Sequence, residues 1–119
     1  MEYDVCIVGG GIAGLSTSIK LKQLNSDINV CVVEKGSEIG SHILSGNIFM
    51  ADSLNYLFKD WQKMDSKPPV NQQVTDEAFV INISQDKSIK IPKWMLRGKI
   101  KNEGNYIISL AELCIWLSE

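Results

Sequence analysis

The chain has 119 residues, of which 45% are hydrophobic and 22% charged, and its formal net charge is −2. This composition is typical of a folded globular domain and excludes a disordered chain, while the slight negative charge disfavours nucleic acid as the main partner. No apolar run approaches the roughly 20 residues that cross a bilayer, so we expect no transmembrane segment.

Residues 3–34 have the pattern of a β-α-β unit. An apolar strand, Tyr3–Val8, runs into glycines, a helix is predicted over Ile12–Asn25, and a second strand, Ile28–Glu34, follows it. Continuous apolar runs of this length are typical of parallel strands that are buried on both faces.

Three glycines at the first strand end fit the G-x-G-x-x-G pattern of a dinucleotide site. Gly9 permits the tight turn, and Gly11 has no side chain to keep a pyrophosphate off the backbone. Gly14, with the small Ala13 beside it, lets the helix lie close to the strand. The phosphates are then expected at the helix N-terminus, which begins at Ile12.

An acid, Glu34, stands at the end of the second strand, twenty positions after Gly14. A carboxylate there is placed to accept hydrogen bonds from an adenosine ribose. The competing interpretation is a glycine-rich turn that binds nothing, with Glu34 a solvated strand end. The agreement of strand, glycines, helix and acid favours the binding site.

The cysteines Cys6, Cys31 and Cys114 are odd in number and lack metal-ligand spacing, so we predict no metal site. Cys6 and Cys31 fall in the two strands, where a thiol is usually a small buried hydrophobe. A disulfide between neighbouring strands stays open, although reduced thiols in a core are favoured.

The stretch from Lys35 to Gly46 is rich in glycine and serine, which favours a loop over the helix that usually continues a nicotinamide-binding domain. Such a loop beside the ribose offers N–H and hydroxyl donors to a large extended cofactor. This pattern favours FAD over NAD.

Two segments carry a family resemblance. Glu34-Lys35-Gly36-Ser37-Glu38-Ile39-Gly40-Ser41-His42-Ile43-Leu44-Ser45-Gly46 and Gly104-Asn105-Tyr106-Ile107-Ile108-Ser109-Leu110 resemble electron transfer flavoprotein–ubiquinone oxidoreductases, with nitrogen-fixation flavoprotein–quinone reductases and geranylgeranyl reductases as wider relatives. The resemblance implies that FAD is bound by Gly9, Gly11, Ile12, Ala13, Gly14, Glu34, Lys35, Ser45 and Gly46. Family members often have proline at position 12; isoleucine does not forbid the turn.

His42 is the only histidine and therefore a tempting catalytic candidate. A loop residue that hydrogen-bonds nearby backbone is the favoured interpretation, because electron transfer through a flavin needs no protonating side chain. The sequence assigns no catalytic residue.

The middle of the chain predicts a short helix and a hairpin. Asp52 is a candidate cap for a helix whose core stripe is Leu54, Leu57, Phe58 and Trp61. Residues 63–73 are predicted to be a loop. Alternating apolar residues at 79–83 and 89–91, around a turn at 85–87, predict a β-hairpin.

The segment Lys87–Lys101 contains six of the twelve basic residues and no acid, and it surrounds Trp94-Met95-Leu96. A peripheral membrane contact and an acidic protein partner are both compatible with this pattern. The competing interpretation is a solvated loop with Trp94 packed inward.

The last helix is predicted to start at Ser109, with Glu112 at the capping-box position. Two parallel strands leave exposed edges, and the helix reaches Glu119 without a stop signal. We therefore expect an α/β fold: a Rossmann-like unit and second FAD loop over residues 1–50, then a helix, hairpin and truncated further domain over 51–119. This would be an N-terminal portion of a larger fold, inactive alone.

By resemblance, the whole protein would pass electrons through FAD from electron transfer flavoprotein to ubiquinone. Its iron–sulfur cluster would take ligands from outside this chain, because three scattered cysteines cannot supply four thiolates. The expected location is peripheral to the inner membrane, on the bacterial cytoplasmic or mitochondrial matrix side. With residue 3 already in a predicted strand we expect no room for a leader, so either the protein is cytoplasmic or the numbering begins after processing. The alternatives are a split FAD-binding module without catalysis and a geranylgeranyl-reductase-like enzyme.

Overall fold

The computed structural model describes residues 2–95 and 102–119. In these residues the chain is a mixed α/β fold, as predicted, with three small sheets. The strands are β1 (Val5–Val8), β2 (Val30–Val33), β3 (Ser45–Phe49), β4 (Gln72–Gln73), β5 (Phe79–Ser84), β6 (Lys87–Ile91) and β7 (Tyr106–Ser109). The α-helices are α1 (Ile12–Leu24) and α2 (Leu110–Ser118), and short 3-10 turns cover Ala51–Tyr56, Trp61–Lys63 and Lys93–Met95.

The predicted β-α-β unit is confirmed. β1 and β2 are parallel neighbours in register from Val5↔Val30 to Val8↔Val33, and α1 connects them. The helix ends one residue earlier than predicted, because Asn25 is already extended and its N–H caps the Leu21 carbonyl. Asn-Ser-Asp then provides the polar turn into β2.

Burial of the two strands on both faces is a prediction that the described residues contradict. Cys6 is exposed and Cys31 only half-buried, and Val8 is 87% exposed. The physical reason is that α1 packs on one face of the pair, against residues such as Ile7, while the alternate residues point to the other face.

A second sheet, with order β3-β7-β4, was not predicted. Ser45 and Gly46 belong to β3, where a loop was expected, and Ser45 pairs with Ser109 of β7. The register shifts between Ser45 and Asn47, where Gly46 adopts a φ of +77°. This bulge is the conformation for which glycine is suited.

The core lies between this sheet, the 3-10 turns and both helices. Its buried members are Leu15, Ala51, Leu54, Trp61, Val70, Ile108, Leu113, Cys114 and Leu117. The stripe Leu54, Leu57, Phe58 and Trp61 therefore packs in the core as predicted, with Leu57 and Phe58 partly buried. The predicted cap is wrong: Asp52 lies inside a 3-10 turn whose N-cap is Met50, so its side chain caps nothing there.

The predicted hairpin is confirmed as β5–β6, an antiparallel pair with Ile81 opposite Ile89. Trp94, in the following turn, is 79% exposed, which contradicts the competing interpretation in which the indole packs inward. Leu96, Arg97, Lys99 and Lys101 of the basic segment lie outside the described residues. In the stretches that the structure describes, neither helix has the length and apolar character that crossing a membrane requires.

The start of α2 matches its prediction. The Ser109 hydroxyl accepts a hydrogen bond from the Glu112 amide at 3.3 Å, which satisfies one of the N–H groups that a helix leaves unpaired.

Candidate functional site

The glycine turn after β1 is shaped by two close contacts of its own backbone. Gly9 has a φ of +107°, which favours glycine, and its N–H donates to the Val33 carbonyl at 2.7 Å. A Cβ added to Gly14 would lie 2.0 Å from the Gly9 carbonyl oxygen. Both glycines are therefore required for α1 to start directly against the strand end.

The N-terminus of α1 opens onto unfilled space. Gly11 is the N-cap, without a side-chain cap, and the first turn contains no acidic residue. The first helical bond runs from the Leu15 N–H to the Gly11 carbonyl at 3.0 Å, so the amides of Ile12, Ala13 and Gly14 precede the helical ladder. A Cβ built on Gly11 would meet nothing within 4 Å. This end of the helix can receive an anion such as a phosphate.

Glu34 links the second strand to that glycine turn. Its Oε2 accepts the Gly10 N–H at 2.7 Å, and its Oε1 accepts the Gly36 N–H at 2.7 Å. A carboxylate has about four acceptor positions, so each oxygen keeps one for a further donor such as a ribose hydroxyl. The side chain is thus fixed at the mouth of the turn before any ligand arrives.

These two amides also stabilise the negative charge of the site. Hydrogen bonds from the Gly36 and Gly10 amides hold the pKa of the Glu34 carboxyl below its ordinary value of 4.5. Amide donors favour the ionised form because the carboxylate is the better acceptor. Glu34 is therefore an anion at neutral pH, as recognition of two hydroxyl donors requires.

The loop after β2 is packed on α2, which sequence analysis did not anticipate. Gly40, buried and with a φ of +84°, lies so close to α2 that an added Cβ would be 2.8 Å from the Ala111 carbonyl oxygen. Ile39 covers Gly10, where an added Cβ would be 2.3 Å from Ile39 Cδ1. The helix thereby supports the loop that supports Glu34.

The residues missed by sequence reasoning are those whose role is carried by backbone. Gly10 and Gly36 donate to Glu34, and Gly40 seats the loop on α2. The available signals were the middle glycine of Gly9-Gly10-Gly11 and the Glu34-Lys35-Gly36 spacing, which allows a side chain to accept from the amide two residues later.

The structure brings together only some of the predicted residues. Gly9, Gly11, Ile12, Ala13 and Gly14 form the turn and helix start, and Glu34 reaches them through Gly10. Lys35 follows as an exposed residue. Ser45 and Gly46 lie instead in the sheet formed by β3, β7 and β4.

His42 is exposed and lies beside the Glu34 loop, with its Nδ1 3.1 Å from the position of a Cβ added to Gly36. Its positive charge, when present, adds slightly to the lowering of the Glu34 pKa. Across residues 2–95 and 102–119, no group of three or more His, Cys, Asp or Glu side chains could hold a metal ion.

Comparison with known proteins agrees with this geometry. Residues 4–56 match the family model described as FAD dependent oxidoreductase. The whole chain is 47% identical to the electron transfer flavoprotein-ubiquinone oxidoreductase of Pseudomonas aeruginosa, of which it covers 22%. Over 99% of the chain it is 45% identical to the mitochondrial protein of that name from Dictyostelium discoideum and 42% identical to that from Rattus norvegicus, covering 19% of each.

The resemblance identified in the sequence is thus confirmed, and it extends over the full chain. The chain spans about a fifth of the length of these curated relatives.

Proposed function

We propose that this chain, which carries a FAD-dependent oxidoreductase segment at residues 4–56, forms the adenosine-diphosphate end of a FAD site in a flavoprotein that reduces ubiquinone. The observation that carries the proposal is the Glu34 carboxylate, held at 2.7 Å by the Gly10 amide at the mouth of the glycine turn. This contact supports a site in which a ribose acceptor lies beside a phosphate-binding helix start.

The glycine turn and Glu34 fit the adenosine diphosphate part of FAD. The space at Gly11, where a Cβ would meet nothing within 4 Å, admits a pyrophosphate to the backbone. The amides of Ile12 and Ala13 would donate to it, and Glu34 would accept from the ribose. By resemblance, Lys35, Ser45 and Gly46 would contact more distant parts of the cofactor. FAD, when bound, supplies the electron-carrying ring, and these residues bind and orient it.

The relatives' names support a proposal for the activity of the whole protein. Those names specify electron transfer flavoprotein as donor and ubiquinone as acceptor, and we propose the same two partners here.

The division into residues 1–50 and 51–119 stays a prediction. In the structure, the two stretches are joined by the pairing of β3 with β7. The resemblance also implies an iron–sulfur cluster. Among the described residues, no group of three or more His, Cys, Asp or Glu side chains could bind a metal ion.

The two alternatives make different predictions for turnover. A FAD-binding module without catalysis would retain flavin but reduce no quinone in the native-length protein. A geranylgeranyl-reductase-like enzyme would reduce an isoprenoid double bond and ignore electron transfer flavoprotein. The names of the relatives favour the quinone reductase.

A peripheral membrane contact is the second part of the proposal, and the hairpin supports it. Phe79, Ile81, Ile89 and Ile91 are cross-strand partners on one face of β5–β6, and the first three are 46–57% exposed. Trp94 and Met95 follow at 79% and 57% exposure. An exposed apolar face with an indole nearby is typical of a surface that enters a membrane interface.

The charges around this surface require one correction to the sequence analysis. Lys93 is not uncompensated, because it pairs with Asp76 and with Glu103, the latter at 3.3 Å. The hydrogen bond to Asp76, and then that to Glu103, raises the pKa of Lys93. Lys87 lies two residues before Ile89 on β6, so it shares the apolar face and is an exposed cation that would meet anionic headgroups, whereas Lys90 lies on the opposite face.

The cofactor proposal is tested by flavin retention in the native-length protein. Glu34→Arg replaces the acceptor by a cation, and we expect the purified variant to lose most of its FAD on gel filtration. Lys59→Glu, an exposed change far along the chain, is the control and should keep it. An equally yellow Glu34→Arg protein would overturn the ribose assignment.

The membrane proposal is tested by co-sedimentation with phosphatidylserine vesicles. The double variant Lys87→Glu, Trp94→Ala should sediment less than wild type, and added salt should weaken wild-type binding because exposed charges are screened over about 10 Å at 0.1 M. Lys59→Glu should sediment normally. Equal sedimentation of all three proteins would exclude the hairpin as the contact.

A further inference from the structure

The hairpin β5–β6 is inserted between two paired strands of the second sheet. β4 and β7 are antiparallel neighbours, and the hairpin lies between them in the chain. Next to this pairing, the Val74 N–H donates to the Asn105 carbonyl at 2.8 Å, and the Gly104 N–H donates to the Val74 carbonyl at 3.3 Å. The chain therefore leaves the sheet and returns to it through two adjacent segments, residues 74–77 and 102–105, which we call the neck.

Glu77 joins the two segments of the neck through its side chain. The Asn102 backbone N–H donates to both Glu77 carboxylate oxygens, at 3.1 and 3.0 Å. The Asn102 side-chain amide donates to the same carboxylate at 3.1 Å. Both residues are half-buried, although 25 positions separate them in the chain. Hydrogen bonds to an ionised acceptor are stronger than those between neutral groups, so this one side chain holds the two ends of the hairpin together.

A lysine forms a second link across the neck. Lys93 follows β6, and its ammonium group donates to Asp76 and to Glu103, the latter at 3.3 Å. This link depends on a long side chain that loses rotamer freedom when it is held in one place, and such pairs contribute little. Glu77, by contrast, accepts from a backbone N–H that the chain already fixes. Glu77 is therefore the principal side-chain link.

The return segment of the neck leads into the elements that support the candidate cofactor site. β7 is followed directly by α2. Ala111 of α2 lies against Gly40, where an added Cβ would be 2.8 Å from the Ala111 carbonyl oxygen. Gly40 belongs to the loop that follows Glu34. The hairpin is thus attached to the same β7–α2 segment on which the Glu34 loop is seated.

We propose that Glu77 is a positioning residue that fixes the hairpin β5–β6 relative to the body of the protein, meaning both helices and the two other sheets. A hairpin attached through its backbone alone could swing about its two connections. With Glu77 in place the hairpin is ordered before it meets a surface, so binding does not have to supply the free energy of that ordering. These contacts are internal to the chain and do not depend on which faces a longer protein covers.

The functional consequence rests on the membrane contact proposed above. If the apolar face of the hairpin enters a membrane interface, Glu77 sets how far from that interface the Glu34 loop is held. The positioning itself rests on the neck contacts alone, so the two claims can be tested separately.

The position of the hairpin is tested by pulsed electron spin resonance on the native-length protein. Spin labels are attached through genetically encoded non-cysteine side chains at Asp86, in the hairpin turn, and at Lys59, in the body. We expect one narrow distance distribution without further substitution and a clearly broader or shifted one in Glu77→Ala. In the same variant, hydrogen exchange of the Val74 and Gly104 amides should be roughly 10-fold faster or more, because the hydrogen bonds that close the neck are lost.

Further variants separate these hydrogen bonds from a general effect of substitution. Glu77→Gln keeps an acceptor oxygen for the Asn102 N–H and should retain most of the narrow distribution. Asp65→Ala removes an acid elsewhere and should leave the distribution unchanged. If Glu77→Ala fails to fold, Asn102→Ala, which removes only the side-chain donor, should broaden the distribution to a smaller extent. A Glu77→Ala distribution identical to that of the parent, or Glu77→Gln as broad as Glu77→Ala, would overturn the proposal.

Vesicle binding separates the positioning role from the membrane contact. Glu77→Ala should co-sediment less with phosphatidylserine vesicles than Asp65→Ala, which loses the same charge. If wild type does not sediment, the membrane contact is wrong, and the distance measurement still decides the role of Glu77. If wild type, Glu77→Ala and Asp65→Ala sediment equally, the hairpin binds without a fixed position, and the functional consequence is overturned.

Discussion

The Gly10 amide donates to the Glu34 carboxylate at 2.7 Å, although the two residues are 24 positions apart in the chain. This hydrogen bond joins the turn after β1 to the end of β2. The Gly36 amide donates a second hydrogen bond to the other oxygen of the same carboxylate. The acid that the sequence suggests as a ribose ligand is therefore also part of the scaffold. Its structural and binding roles can be separated by experiment.

The structural role predicts a dependence on pH. The Glu34 pKa is lower in the folded chain than its ordinary 4.5, so its contribution to stability is present above that value and lost as the pH falls through the folded pKa. Wild-type urea midpoints should fall in this acidic window more steeply than those of Glu34→Gln, which has no charge to lose. If the urea midpoints of the two proteins changed equally with pH, the stabilising role of the hydrogen bonds from the Gly10 and Gly36 amides to Glu34 would be contradicted.

Gly14 and Gly11 form a matched pair for separating packing from binding. Gly14→Ala forces a Cβ to within 2.0 Å of the Gly9 carbonyl oxygen, and we expect a loss of about 1–3 kcal/mol in unfolding free energy. Gly11→Ala adds a Cβ in open space and should cost less than about 1 kcal/mol. Denaturant unfolding measures both, and equal losses would argue against the packing described for Gly14.

Leu113 tests the contact between α2 and the rest of the core. It is 1% exposed, and Leu113→Ala should lower the unfolding free energy by about 2–5 kcal/mol. Ile115, two residues later on the same helix and 45% exposed, is the control, and Ile115→Ala should cost less than about 1 kcal/mol. If Leu113→Ala lowered the unfolding free energy no more than Ile115→Ala, the packing described for α2 would be contradicted.

Ser109 tests the cap that supports α2. Ser109→Ala removes the acceptor for the Glu112 amide and should cost about 0.5–2 kcal/mol. Ser109→Thr keeps a hydroxyl at the same place and should lose much less. Thermal unfolding of both variants decides between loss of the cap and a general effect of substitution in β7.

The sequence allowed the β-α-β unit to be predicted because its signals are local. An apolar run, glycines, a helix and a second apolar run occur within residues 3–34, and each follows from its neighbours. The signal for the Ser109 cap was equally local, because Glu112, whose amide donates to the Ser109 hydroxyl, is only three residues away. Such features need no knowledge of the rest of the fold.

The second sheet could not be found in this way. β3 begins with Ser45-Gly46-Asn47, which resembles a loop, and β4 is only Gln72–Gln73. What makes them strands is pairing with β7, whose Ser109 lies 64 residues after Ser45. The support of the Glu34 loop by Ala111 was missed for the same reason: it is a contact between distant segments.

The prediction that β1 and β2 are buried on both faces was wrong for a different reason. Continuous apolar runs predicted cover on both faces, but the described residues place α1 on one face only. Exposure of Cys6 follows from this one-sided packing and could not be derived from the run itself.

The central claim is that the glycine turn and Glu34 form one binding site for the adenosine diphosphate end of FAD. The most direct measurement is a two-dimensional amide NMR titration of the protein with ADP, which carries the ribose and phosphates without the flavin. The account predicts that the amides of Gly10, Gly11, Ala13 and Gly36 shift together, while those of Val80 and Ile89 in the hairpin do not, and that Glu34→Gln weakens the response roughly 10-fold or more. Unchanged glycine amides at millimolar ADP, or shifts confined to the hairpin, would contradict it.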